Sequence, residues 1–100
     1  MQVSARIKNM RGKHDAELIT DNRMHSISIP PRTDGLGSSA TGGELLFLSL
    51  ATCYCNDLYR EAKKRDIELS EVEVWVDGEF GAEGEPARRL DLTIPSTTEL

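Results

Sequence analysis

Aromatic residues make up only 5% of this 100-residue chain, with one Trp, two Cys and two His. Each shortage excludes something. Two cysteines one residue apart, Cys53 and Cys55, cannot build the disulfide framework of a small secreted domain, so a reducing, cytoplasmic compartment is expected. No long apolar run is present. The densest stretch, Leu45 to Ala51, is broken by Ser49 and bounded by Glu44 and Thr52, well short of the ~20 residues of a membrane span. Arg6 and Lys8 are followed by no apolar segment, so no secretory signal is read. Basic residues are in deficit, with a formal net charge of −5, and only Lys63, Lys64 and Arg65 cluster. These three close a helix, where cations complement the carbonyl end of its dipole. Nucleic acid and anionic membrane are therefore not expected as partners.

What is present is patterned. The length suits a single domain over residues 1–100, and 38% hydrophobic residues is an ordinary globular content. Val3, Ala5 and Ile7 alternate with polar neighbours, as in a half-buried strand. A turn near Asn9 to Gly12, a second strand over Ala16 to Thr20, an Asp21-Asn22 turn and a third strand from Met24 to Ile29 complete a meander. Arg32 to Gly43, rich in Gly and Ser, reads as a flexible connection. Thr41 and Glu44 have capping-box spacing and open a run without Gly or Pro to about Arg65, a helix of some six turns. Val72, Val74 and Val76 form one strand of a hairpin and Leu90, Leu92 and Ile94 the other, ending at Pro95. The order ββ(β)αββ predicts an α+β, two-layer fold.

The first half of the helix is apolar on all sides, which requires burial on all sides. A single five-stranded sheet covers one face only. A partner subunit is the expected second cover, or a further helix, because Ser96 to Glu99 again has capping-box spacing. A homodimer is therefore expected.

Cys53 and Cys55 lie mid-helix and point about 200° apart, so they neither bridge nor share one metal ion. His14 and His25 add no zinc pattern, and no metal or other cofactor is expected. Free cysteine is most often a small buried hydrophobe, the plain reading for both. Cys53 has a second reading, because Asp57 at i+4 and Arg60 beyond it form a polar stripe with it. A reactive thiolate there needs a cation that outweighs Asp57.

The stretch Gly35-Leu-Gly, then Ala40-Thr-Gly-Gly-Glu-Leu-Leu-Phe-Leu-Ser-Leu-Ala-Thr-Cys53 with Asp57 four residues on, and Val72-Glu-Val-Trp-Val-Asp-Gly, resembles the OsmC/Ohr family of thiol-dependent peroxidases. The similarity runs from about Ala5 to Ile94 and is strongest from Gly35 to Gly78. It implies an OsmC-like fold in an intertwined homodimer with active sites between subunits. It also implies that Cys53 is the peroxide-attacking cysteine, with an activating arginine held by a glutamate near the helix entry. Glu44 is the nearest match to that carboxylate, although in the organic-hydroperoxide branch the aligned position is Gly43. Arg11 is the best match to the arginine, with Arg32 and Arg23 behind it. The family's C-terminal helical part, with its resolving cysteine, has no counterpart here, and Cys55 does not match it. The expected function is reduction of organic hydroperoxides or hydrogen peroxide, with an external thiol as reductant. The alternatives are a non-catalytic dimerising scaffold with Cys53 as core, or a domain binding a small ligand in an apolar interface pocket.

Overall fold

The period-two segments of the first thirty residues form, in the computed structural model, three sequential antiparallel strands: β1 (Val3–Met10), β2 (Lys13–Thr20) and β3 (Arg23–Ser28). Helix α1 (Gly42–Lys64) and the hairpin of β4 (Leu69–Phe80) and β5 (Ala87–Glu99) follow, so the class is α+β in the expected order. The structure describes residues 1–82 and 84–99, with side chains up to residue 94. The chain divides into two compact units, residues 1–41 and 42–100.

In the first unit the turns set the register. Asp21 and Asn22 have φ of 47° and 67°, the pair of positive values that a two-residue type I′ turn demands. Gly12, at φ 77°, provides the positive φ of the β1–β2 turn, in which Arg11 precedes it. Both strands run further toward this turn than the alternation suggested. Asn9 pairs with His14 and Met10 with Lys13, so Asn9 is a strand residue. One sheet face then carries Val3, Ala5, Ile7, Ala16, Leu18 and Ile27, and the opposite face carries the Arg6–Glu17 ion pair. Of that apolar face only Ala16 is buried, while Val3 is 65% exposed.

The segment after β3 is more ordered than its glycines predicted. Pro31 bridges Ser38, the Ser39 N–H donates to the Pro30 carbonyl at 2.9 Å, and the Arg32 N–H donates to the Gly37 carbonyl at 3.1 Å. Asn9 reaches this loop from β1. Its Oδ1 accepts the Gly37 N–H at 2.9 Å and its Nδ2 donates to the Gly37 carbonyl at 3.1 Å. Gly37 sits at φ 108°, where glycine is free of Cβ strain, so its glycine content here serves a fixed loop conformation.

In the second unit α1 lies on β4. Gly43, Phe47, Ala51, Cys55, Leu58 and Ala62 are less exposed positions of the helix, spaced three or four apart as a packing stripe must be, and Leu45 is shielded beside them. Leu69, Val72, Val74, Val76 and Gly78 are the shielded positions of β4. The rings of Phe47 and Phe80 stack with centroids 5.6 Å apart. A Cβ on Gly43 would lie 2.8 Å from the Phe80 ring, so a bare residue at 43 lets that ring close on the helix entry. The helix ends in a Schellman motif. The Ile67 N–H donates to the Ala62 carbonyl and the Asp66 N–H to the Lys63 carbonyl, with Asp66 left-handed at φ 53°.

Two expectations are corrected here. The strands form separate three-stranded and two-stranded sheets instead of one five-stranded sheet, because β4 pairs only with β5. Pro95 also does not end the last strand, and Ser96 to Glu99 continue β5 instead of opening a helix. Glu73 pairs with Ser96 and Trp75 with Thr93, so Ile94 and Pro95 together oppose Val74. That bulge is where a strand tolerates a residue without an N–H. The capping-box spacing of Ser96 and Glu99 had no helix to cap once β4 was long enough to pair this segment.

Asp66→Gly is expected to raise stability by up to about 1 kcal/mol, since it removes the left-handed strain of a residue with Cβ. Gly78→Ala should cost about 2–4 kcal/mol, because its Cβ would fall 1.9 Å from the Arg89 carbonyl oxygen across the hairpin. Urea unfolding of both variants checks the pair.

Candidate active site around Cys53

The packing stripe of α1 determines which cysteine is available. Cys55 lies on it and is half-buried, whereas Cys53, about 200° away round the helix, is exposed. Within its own chain Cys53 is not packed as a core hydrophobe. Helical spacing puts Leu46, Leu50, Asp57 and Arg60 on the same side as Cys53. Leu46 is 50% exposed and Leu50 36%, so the apolar end of this stripe is bare, contrary to a helix buried on every side. The expected border between apolar and polar surroundings does exist at Cys53, but it lies on an open surface.

The polar end is internally neutralised. Arg60 Nη1 pairs with Asp57 Oδ1, as the shared stripe suggested. Both side chains are more than 60% exposed, so the pair contributes at most about 0.5 kcal/mol to the helix. The pair occupies the carboxylate one helical turn on from Cys53. Nearby hydroxyls are committed to the helix itself. Ser49 Oγ donates to the Leu46 carbonyl at 2.6 Å and Thr52 Oγ1 to the Leu48 carbonyl at 2.8 Å.

The other expected site residues are placed as follows. Glu44 is in the first turn of α1, as the capping spacing required. It precedes Cys53 by nine residues, which is about 13 Å along the axis and half a turn round it. Position 43 cannot hold a carboxylate without displacing the Phe80 ring. Arg11 belongs to the first unit, in the β1–β2 turn, and Cys53 to the second. Arg23 begins β3. Arg32 donates through Nε to the Ser38 carbonyl at 3.2 Å, which commits part of its guanidinium to its own loop. Concavities of about 400 Å³ beside His14, Ser26 and Ser28 and about 540 Å³ beside Tyr59, Lys63 and Asp66 include neither Cys53 nor Glu44 nor Arg11. Among the described residues no group of His, Cys, Asp and Glu is arranged to hold a metal ion, and no helix is long and apolar enough to cross a membrane.

Sequence reasoning passed over Asn9 and His14, which flank the turn carrying Arg11. Asn9 Nδ2 lies 2.9 Å from His14 Nδ1 while the rest of its amide holds Gly37. The only available signal was their position on either side of the hairpin turn, since the register makes them cross-strand partners.

The family resemblance read from the sequence is supported by comparison. The family model described as OsmC-like protein matches residues 35–99, and the chain belongs to that family. Membership supports a stress-related, peroxiredoxin-like role, and members of the family are often dimers. The match covers Glu44 and Cys53 but begins after β1–β3, so Arg11 lies outside it. Neither the comparison with curated proteins nor that with solved structures gives a match.

A small alkylating reagent is expected to label Cys53 well before Cys55 in the folded protein and both at similar rates in denaturant. Peptide mass spectrometry on a time course reads the order. Mild oxidation should yield no Cys53–Cys55 disulfide, since their side chains leave opposite sides of one helix.

Proposed function

We propose that the protein is a thiol-dependent peroxidase that reduces hydroperoxides, organic ones foremost, through the Cys53 thiolate, in defence against oxidative stress. The observation that carries this reading is the exposed Cys53 on the bare stripe of α1 in an OsmC-like chain. The thiolate attacks one peroxide oxygen and the O–O bond breaks. The departing alkoxide takes up a proton as alcohol, or leaves as water when the substrate is hydrogen peroxide. Sulfur loses two electrons and the peroxide gains them, leaving Cys53 as sulfenic acid. One external thiol then condenses with the sulfenic acid, releasing water, and a second displaces the mixed disulfide to restore Cys53. Cys55 is unsuited to that step because it faces β4. A thiol-rich compartment, the cytoplasm, suits the cycle.

Peroxide attack uses the thiolate, and a free thiol is mostly protonated at neutral pH, so the reaction calls for a cation. In this reading the cation is Arg11, whose planar fork is oriented by Glu44, with Arg23 and Arg32 as the other candidates. Glu44 and Cys53 of one chain are too far apart along α1 to share one guanidinium. The Glu44 that holds the arginine therefore comes from a second copy, and the working unit is a homodimer with its sites between subunits. The exposed Leu46, Leu48 and Leu50 provide apolar surface for that association.

Cys53→Ser should abolish hydroperoxide consumption, while Cys55→Ser keeps it within about twofold, since only Cys53 supplies the nucleophile. Arg11→Ala should slow both alkylation of Cys53 and peroxide reduction at neutral pH by about tenfold or more, reflecting the lost thiolate. Arg11→Lys should recover only part of this, because an ammonium lacks the fork. An unaffected rate in Arg11→Ala would move the role to Arg23 or Arg32. Leu48→Asp should give a monomer by sedimentation and cost several kcal/mol, as it places an unpaired charge in the interface. A wild-type monomer at micromolar concentration would contradict the dimer.

A further inference from the structure

The amide of Asn9 can be oriented in only one way. Its Oδ1 accepts the Gly37 N–H at 2.9 Å and its Nδ2 donates to the Gly37 carbonyl at 3.1 Å. Exchanging oxygen and nitrogen would set a donor against a donor and an acceptor against an acceptor. The group facing His14 is therefore an N–H, and His14 Nδ1, 2.9 Å away, must accept it. Only the neutral imidazole with its proton on Nε2 can do so, because protonated imidazole is a donor at both nitrogens.

We propose that Asn9, His14 and Gly37 form a proton-sensitive tie, which holds the Pro30–Ala40 loop to the Arg11 end of the β1–β2 hairpin when His14 is neutral and loosens it when His14 is protonated. Protonation places two donors 2.9 Å apart, so either the imidazole or the Asn9 amide must turn away. The Asn9 amide also carries both bonds to Gly37, so its rotation costs the loop two further hydrogen bonds. Imidazole changes charge between about pH 5 and pH 8, the range in which such a tie responds.

The charged groups around His14 leave the tie as its main polar constraint. On β2, Lys13 and Asp15 project from the opposite side of the pleat and lie 3.8 Å from each other, and Glu17 pairs with Arg6 of β1. On β1, Lys8 lies opposite Asp15; elsewhere in this unit the β1–β2 turn holds Arg11 and the loop holds Asp34 and Arg32, the latter bonded to the Ser38 carbonyl. On β3, Ser28 pairs beside His14, at Asp15, and the titratable His25 lies three pairs further along, opposite Leu18. No carboxylate is bonded to the ring among the described residues, so nothing compensates the proton at Nδ1.

The tie is independent of the peroxidase reading and is tested without any activity. Amide hydrogen exchange of Gly37, followed by NMR as a protection factor, should fall about five- to tenfold between about pH 7.5 and pH 5, the equivalent of one or two lost hydrogen bonds. Protection of the β2 amides should stay constant, marking an intact sheet. Asn9→Ala should give low Gly37 protection at both pH values. His14→Gln, which keeps an acceptor but does not titrate, should give high protection at both. Constant Gly37 protection in the wild type, or a fall in His14→Gln as large as the wild-type fall, would overturn the proposal. Nitrogen chemical shifts of His14 in the wild-type protein supply a second check. A neutral ring protonated on Nδ1 at pH above about 7 would equally overturn it.

Discussion

One helix has two faces, and the hairpin of its own unit covers one of them. The stripe from Gly43 to Ala62 packs on the valines of β4, with the Phe47–Phe80 stack adding about 0.5–1.5 kcal/mol beyond its area. The opposite stripe keeps Leu46, Leu50 and Cys53 exposed. Side-chain burial is correspondingly thin, with only Ala16, Ile29 and Ala62 buried among the apolar residues described. A well-packed domain of about this size buries roughly 60–70% of the surface its unfolded chain exposes, so the bare stripe is apolar surface that further contact would stabilise. The same bare stripe carries the only fully accessible thiol. In the proposed reading assembly and chemistry draw on one surface, and a change that alters either is expected to alter both.

Much of the architecture was legible because its determinants are local. The alternation of Val72, Val74 and Val76, the Asp21-Asn22 turn and the Thr41–Glu44 spacing each specify an element without reference to distant residues. The errors arise where a long-range partner decides. Pro95 looked like a strand terminus, and a bulge opposite Val74 absorbs it. The glycines from 35 to 43 looked like slack, and Asn9, more than twenty residues upstream, fixes the loop that holds Gly37. A side chain that satisfies a remote backbone group leaves no periodic trace in the sequence.

The site divides along the same line. Cys53 and its stripe partners Asp57 and Arg60 follow from helical spacing alone, and the ion pair between the latter two is where that spacing put it. The cation proposed to activate the thiol is a long-range matter, and its candidates Arg11, Arg23 and Arg32 all lie in the other compact unit of the chain. Position 43 offers a contrast, since the Phe80 ring beside it leaves little room for a side chain there. Glu44 and Cys53 then lie on opposite sides of α1, so a joint role requires a second copy of the chain.

The central claim is that the thiol on the bare stripe is the peroxide-reducing group. The most direct measurement is to expose the fully reduced protein to one equivalent of an organic hydroperoxide in the presence of a sulfenic-acid trap, with fragment mass spectrometry locating the adduct and chromatography quantifying the alcohol. The account predicts trapping at Cys53, not at Cys55, with one alcohol formed for each Cys53 thiol lost. Intact peroxide beside an unmodified Cys53 would contradict it.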